Sequence, residues 1–189
     1  MRRRDFIKLI GGAAACPVTA LAQQAVRTAR IGYLSPASEP DPNIEIFRHG
    51  MSALGYVEGR DYVLQVRYAQ RNYARLPALV QELLAANVEL IVTGGASSRG
   101  ASFAAQSVPV VFGFSGDPVD AGIVASFARP GGNATGVSFL ALDLAAKRVE
   151  LIKEVAPTIK RIAVLSNPEH PGEVSELRVT RETALFPMR

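Results

Sequence analysis

The segment Pro109 to Leu140, PVVFGFSGDPVDAGIVASFARPGGNATGVSFL, constrains the fold more than any other stretch of the chain. It opens in Val108 to Phe114, a short apolar run rich in β-branched and aromatic residues, the pattern of a strand buried on both faces. Ser115-Gly116-Asp117-Pro118 breaks the run. Asp117 can cap a helix, and Pro118 suits a first helical position because its missing N–H would be unpaired there anyway. Val119, Ile123 and Phe127, spaced four apart, predict a helix to about Ala128. Arg129-Pro130-Gly131-Gly132-Asn133 stops it, and Thr135 to Leu140 predicts a second strand. Strand, helix, strand at this length is a parallel βαβ unit. Parallel sheets bind ligands at the carboxyl ends of their strands, so the same unit says where a site belongs.

The remaining chain repeats the alternation. Ala29 to Leu34 predicts a strand, ended by Ser35-Pro36, and Ser35 to Pro42 is a loop with three prolines. Asn43 is placed to cap a helix with the stripe Ile44, Phe47, Met51 and Leu54, which Gly55 ends. Tyr62 to Ala69 alternates and predicts a strand near a sheet edge. Asn72 is placed to cap the next helix, with Leu76, Leu79, Val80, Leu83 and Leu84 inward; Val88 to Thr93 predicts a strand turned by Gly94-Gly95. Ser97 or Ser98 starts a helix carrying Ala101, Ala104 and Ala105 on one face. After Leu140 to Leu142, Asp143 is placed to cap a helix with Ala145, Ala146, Val149, Ile152 and Ala156 inward, stopped by Pro157. Arg161 to Ser166 predicts another strand, Asn167 to Gly172 a loop, and 173–185 a further helix. The sum is an α/β chain with a doubly wound parallel sheet, a Rossmann-like lobe, and the start of a second α/β lobe. Three parts follow: an export segment at 1–22, an N-terminal lobe at 23–142, and an incomplete second lobe with a divergent tail at 143–189.

The first part reads as a targeting segment. Arg2, Arg3 and Arg4 precede the apolar, small-residue stretch Ile7 to Leu21, and Ala20-Leu21-Ala22 fits an A-x-A cleavage site. The apolar stretch is shorter than the roughly 20 residues that span a bilayer. Arg3-Arg4-Asp5-Phe6-Ile7-Lys8 fits a twin-arginine signal, an ordinary Sec signal being the alternative. Of 21 basic and 17 acidic residues, Arg2, Arg3, Arg4, Lys8 and Asp5 lie here, which leaves 17 basic against 16 acidic and a mature net charge near +1. Nucleic-acid binding thereby loses its electrostatic motive. Cys16, the single cysteine, also falls in this part, so the mature chain has no disulfide or thiol nucleophile. Cys16 lacks the leucine three residues before it that a lipid attachment site favours, and a lipoprotein is not expected.

Four loops follow strand ends: Ser35 to Glu39, Gly94 to Ser98, Phe114 to Asp117, and Ser138 to Leu140. They are rich in serine and glycine and carry little charge. Small residues let a ligand approach the backbone, and helix starts offer free N–H groups. Such a rim suits the polar head of a small solute; the plainer reading is that these residues only make turns, and for Asp117 a capping role alone suffices. Enzyme signatures are missing. No G-x-G-x-x-G follows the first strand, no Walker loop or G-x-S-x-G occurs, and Gly94 to Gly100 is only a weak echo of a phosphate loop. His49 lies beside a helix stripe, and His170, between Pro168 and Pro171, is expected to face solvent. Two isolated histidines make neither a triad nor a metal site. No cofactor is implied. Asn133-Ala134-Thr135 fits a glycosylation sequon, which carries no weight beside a bacterial export signal.

IGYLSP at Ile31, LGYVEGRDY at Leu54, PVVFGFSGDPVDAGIVASFARPGGNATGVS at Pro109, Glu150 to Pro157 and RIAVLSNPEHPG at Arg161 resemble a family of bacterial substrate-binding proteins of ABC transporters, as does the RRRDFIKLIGGAAA start. The resemblance runs to about Arg178. It implies a type I periplasmic binding fold, in which two α/β lobes close on a ligand and dock on a membrane permease. It also implies a periplasmic location and a small-molecule solute of the aromatic amino acid kind. Carried onto this chain, ligand contacts of the first lobe fall at Ser35, Ala37, Gly95, Ala96, Ser97, Ser115, Asp117 and Ser138. Such proteins run to roughly twice the mature length, and a truncated or frameshifted gene is the explanation the resemblance favours. The alternatives are a non-functional remnant or protein-contact lobe and, on weaker grounds, a Rossmann-like enzyme.

Overall fold

The computed structural model describes residues 27–185; the export segment expected at 1–22 and the end of the tail at 186–189 lie outside them. Five strands form one sheet in the order β2-β1-β3-β4-β5, every pair parallel. They are β1 (Ala29–Ser35), β2 (Tyr62–Tyr68), β3 (Leu90–Gly94), β4 (Val110–Phe114) and β5 (Ala134–Ser138). The helices are α1 (Pro42–Ala53), α2 (Leu76–Ala85), α3 (Ser97–Ala104), α4 (Ala141–Val155) and α5 (Glu173–Leu185), with a short 3-10 turn at Tyr73–Arg75 leading into α2. The alternating segment at Tyr62 lies at a sheet edge, as its pattern predicts.

Two faces of β1 are covered differently. On one, Leu34 joins Leu79, Val80, Leu83, Ile91, Val110, Phe112 and Phe114 in the main core under α2 and α3. Gly32 lies on this face, where an added Cβ would stand 3.2 Å from Leu83 and 3.3 Å from Val88, so the missing side chain lets α2 seat. On the other face, Tyr33 meets the edge of Phe47 of α1 with centroids 5.7 Å apart, and Phe47 meets Tyr62 at 6.3 Å. Such edge-to-face pairs add about 0.5–1.5 kcal/mol each beyond burial.

Four local expectations are corrected. The helix from Pro118 to about Ala128 is a single turn. Asp117 Oδ1 accepts the N–H groups of Val119 and Asp120 as a cap. Gly122, at φ +69, then closes the turn: its N–H bonds Val119 C=O at 2.9 Å and the Ile123 N–H bonds Pro118 C=O at 2.8 Å. That bond pair around a left-handed glycine is a helix C-terminus. Of the stripe Val119, Ile123 and Phe127, only Ile123 is buried; Ala121 and Val124 join it in the core.

The cap of α1 is Asp41, not Asn43: its carboxylate accepts Asn43 N–H at 3.0 Å, and Pro42 takes the first helical position. Likewise α4 starts at Ala141, because Leu140 turns the chain at φ +52, and Asp143 sits within the first turn instead of capping it. Finally, Arg161 to Ser166 is not a strand. A strand exists only with a neighbour to share its N–H and C=O groups, and this segment has none among the described residues. It runs along α4 and α5 with Leu165 fully exposed. Clefts of about 320 and 360 Å³ open beside it, lined by Val149, Ile162 and Leu177 and by Pro168, Val174 and Leu185. No helix among the described residues is long and apolar enough to cross a membrane.

Candidate functional site

The parallel register brings the four serine- and glycine-rich turns to one edge. Leu34 pairs with Thr93, Gly94 with Gly113, and Phe114 with Ser138, so the strands end together. Bonds beyond the ladder tie the turns to each other: Gly95 N–H donates to Gly113 C=O, and Phe139 N–H to Phe114 C=O, both at 2.9 Å. Gly95 holds φ +56, a conformation that favours glycine at the β3–α3 turn.

The eight residues singled out from the sequence divide into two sets. Ser35, Ala96 and Ser97 are buried, whereas Ala37, Gly95, Ser115, Asp117 and Ser138 are half-buried on the rim. The hydroxyls of the buried serines are committed. Ser35 Oγ donates to Asp41 Oδ2 at 2.6 Å and accepts Ala37 N–H at 3.0 Å. Ser97 Oγ reaches Gly94 C=O at 2.8 Å and shares a hydrogen bond with Thr93 Oγ1 at 2.7 Å. On the rim, Ser138 Oγ donates to Gly116 C=O at 2.8 Å and accepts Leu140 N–H at 3.1 Å. In this arrangement the small residues build the turns that give the edge its shape.

Two residues outside that set stand at the same edge. Ser98, fully buried at the start of α3, has a hydroxyl with no hydrogen-bond partner among the described residues. A buried polar atom left unpaired costs about 1–3 kcal/mol, so a fold that keeps one there calls for an explanation. Its position is legible in the sequence, since Ser98 shares the helical stripe of Ala101 and Ala105. The second is His170. Expected to face solvent, it is instead half-buried and stacked on Phe114, with centroids 5.3 Å apart and planes 6° from parallel. Its Nε2 lies 3.3 Å from Ser115 Oγ. Nothing in the flanking prolines announces this contact, which joins residues 55 apart.

Ser115 beside His170 has the outline of a nucleophile–base pair, and the hydrogen bonds run against that use. Gly172 N–H donates to His170 Nδ1 at 3.2 Å. With Nδ1 an acceptor, neutral imidazole carries its proton on Nε2 and donates to Ser115. A general base needs the opposite tautomer, with a bare Nε2 facing the hydroxyl and an orienting acceptor on Nδ1. Among the described residues, no group of three His, Cys, Asp or Glu is placed to hold a metal ion.

A serine- and glycine-lined edge on a five-stranded parallel sheet is the architecture of a periplasmic binding-protein lobe. Residues 41–185 match the family described as ABC transporter substrate binding protein, and the chain belongs to that family. It is 30% identical over 115 residues to a tyrosine-binding protein of Clostridioides difficile, covering 60% of this chain and 32% of that one. Among solved structures it is similar to a conserved domain protein of Vibrio cholerae, with TM-score 0.73, 29% identity, and 84% of this chain against 54% of that one. A ligand-free, open substrate-binding protein with adhesive properties from Clostridium difficile has TM-score 0.62 and 26% identity, over 83% of this chain and 54% of that one. An ABC domain in complex with L-Trp from Streptococcus pneumonia shares the fold at TM-score 0.71 and 24% identity, over 83% of this chain and 53% of that one. The chain thus spans about half the length of these structures and about a third of the curated relative.

Proposed function

We propose that this chain is the solute-capturing component of an ABC importer, exported to the periplasm, and that its solute is an aromatic amino acid or a close analogue delivered to a membrane permease. The observation that carries this reading is the convergence of the four turns on one sheet edge, where Gly95, Ser115, Asp117 and Ser138 form a half-buried rim. Small side chains let a solute reach backbone N–H groups, and a flat apolar ring, Phe114, lies directly beneath. The tyrosine-binding relative supports the aromatic class. Residues 23–142 form the solute-bearing lobe in this reading, and 143–189 begin the opposing wall. Binding without catalysis accords with the tautomer of His170.

Isothermal titration calorimetry of the full chain tests it. L-tyrosine is expected to give saturable heat, while L-glutamate and glucose give none. Absence of heat with L-tyrosine, L-tryptophan and L-phenylalanine at millimolar concentration would overturn the solute class. It would favour a lobe used only for protein contact.

A further inference from the structure

The rim of the proposed solute site is already in contact with part of its own chain. The loop 167–172 crosses from the segment after α4 and sets its central residue on the carboxyl end of β4. The His170 ring lies flat on Phe114, and its Nε2 meets Ser115 Oγ at 3.3 Å. A Cβ added to Gly95 would stand 4.0 Å from the same nitrogen. The backbones touch as well: a Cβ at Gly172 would lie 2.8 Å from Gly116 Cα, and one at Gly116 would lie 2.7 Å from Gly172 Cα. Two glycines facing each other are what allow so close an approach. A further bond, Ser175 Oγ donating to the Asp120 carboxylate, holds the start of α5 against the turn after β4. No solute-sized gap separates loop from rim at these atoms.

We propose that loop 167–172 is a built-in occupant of the solute site, with the His170 imidazole standing in for an aromatic solute. The inference rests on the solute-capture reading above and adds its regulation. A planar ring carrying one N–H donor, stacked on Phe114 and bonded to Ser115, makes the contacts that an aromatic amino acid would seek on the same rim. The loop and the solute therefore compete. An occupant seated nine-tenths of the time weakens apparent affinity about ten-fold, because only the open fraction binds.

Two variants of the full chain test this. His170→Ala removes the ring, and Gly172→Ala forces the loop off Gly116; neither residue belongs to the main hydrophobic core. Each is expected to bind L-tyrosine about ten-fold more tightly than the parent by calorimetry. Affinity that is unchanged, or weakened as it would be if His170 held the solute, overturns the proposal. The docking itself is read without solute from the proton resonances of the His170 ring. They are expected upfield of those of exposed His49, through the Phe114 ring current, and unshifted resonances overturn it. If all three proteins stay silent in calorimetry while the His170 resonances remain shifted, the solute reading has failed and the loop contact has not.

Discussion

The Ser35 hydroxyl donates to the Asp41 carboxylate at 2.6 Å, with both residues buried and six positions apart. The same carboxylate caps α1 through Asn43 N–H and also accepts the Asn43 side-chain amide. One buried anion thus fixes the end of β1, the start of α1 and the proline loop between them. Charge-assisted hydrogen bonds of this kind contribute more than neutral ones. Asp41→Ala is expected to lower stability by about 1–3 kcal/mol in urea denaturation. Asp41→Asn keeps an oxygen for the Asn43 N–H but replaces the other with an amide NH2 that cannot accept from Ser35, so it should lose less than Asp41→Ala and still fall below the parent. Equal losses would show that the hydrogen bonds are not what matters there.

Gly136 lies opposite Phe112 in the β4–β5 ladder, and a Cβ there would overlap the Phe112 carbonyl oxygen. Backbone cannot yield as a flexible side chain can. Gly136→Ala should cost about 1–3 kcal/mol or more by displacing β5. Gly132→Ala, whose Cβ meets open space, should stay within about 0.5 kcal/mol of the parent. Denaturation midpoints of the two variants make the comparison.

Burial, with a smaller contribution from the Asp41 charge, pushes the Tyr33 phenol up from 10.0 to about 12. A phenol whose folded value exceeds its unfolded one favours folding while it stays protonated. Its contribution is complete below pH 10 and is lost as pH rises towards about 12. Stability measured across that window should fall, and Tyr33→Phe should flatten part of the slope. Burial also raises Tyr62 and Tyr68, so some slope should persist in the variant.

Ser98→Ala separates structure from binding. Removing a buried hydroxyl that has no partner among the described residues should leave the melting temperature unchanged or raise it. If that hydroxyl is held for the solute, L-tyrosine affinity should fall several-fold in the same variant. A lower melting temperature would mean that the hydroxyl has a structural partner after all.

Much of the sheet was legible because the signals are local. Val108 to Phe114 reads as a strand buried on both faces; β4 is paired along both edges but buried on one face only, with Val111 exposed on the other, whereas the alternating Tyr62 segment reads as an edge and β2 is one. The convergence of the turns follows from parallel topology, which the βαβ spacing implies. After Pro118 two local signals conflict: the four-residue spacing of Val119, Ile123 and Phe127 points to a long helix, and Gly122 stops the chain after one turn.

The sequence by itself determined the alternation of strands and helices, the parallel sheet and the family, because hydrophobic periodicity, caps and turn residues act within a few positions of each other. Only the tertiary structure decided which hydroxyls remain available at the rim. It also left Arg161 to Ser166 without a ladder and set His170 on Phe114. A strand needs a neighbour and a stacked ring needs a partner, and both are supplied by residues far away in the chain.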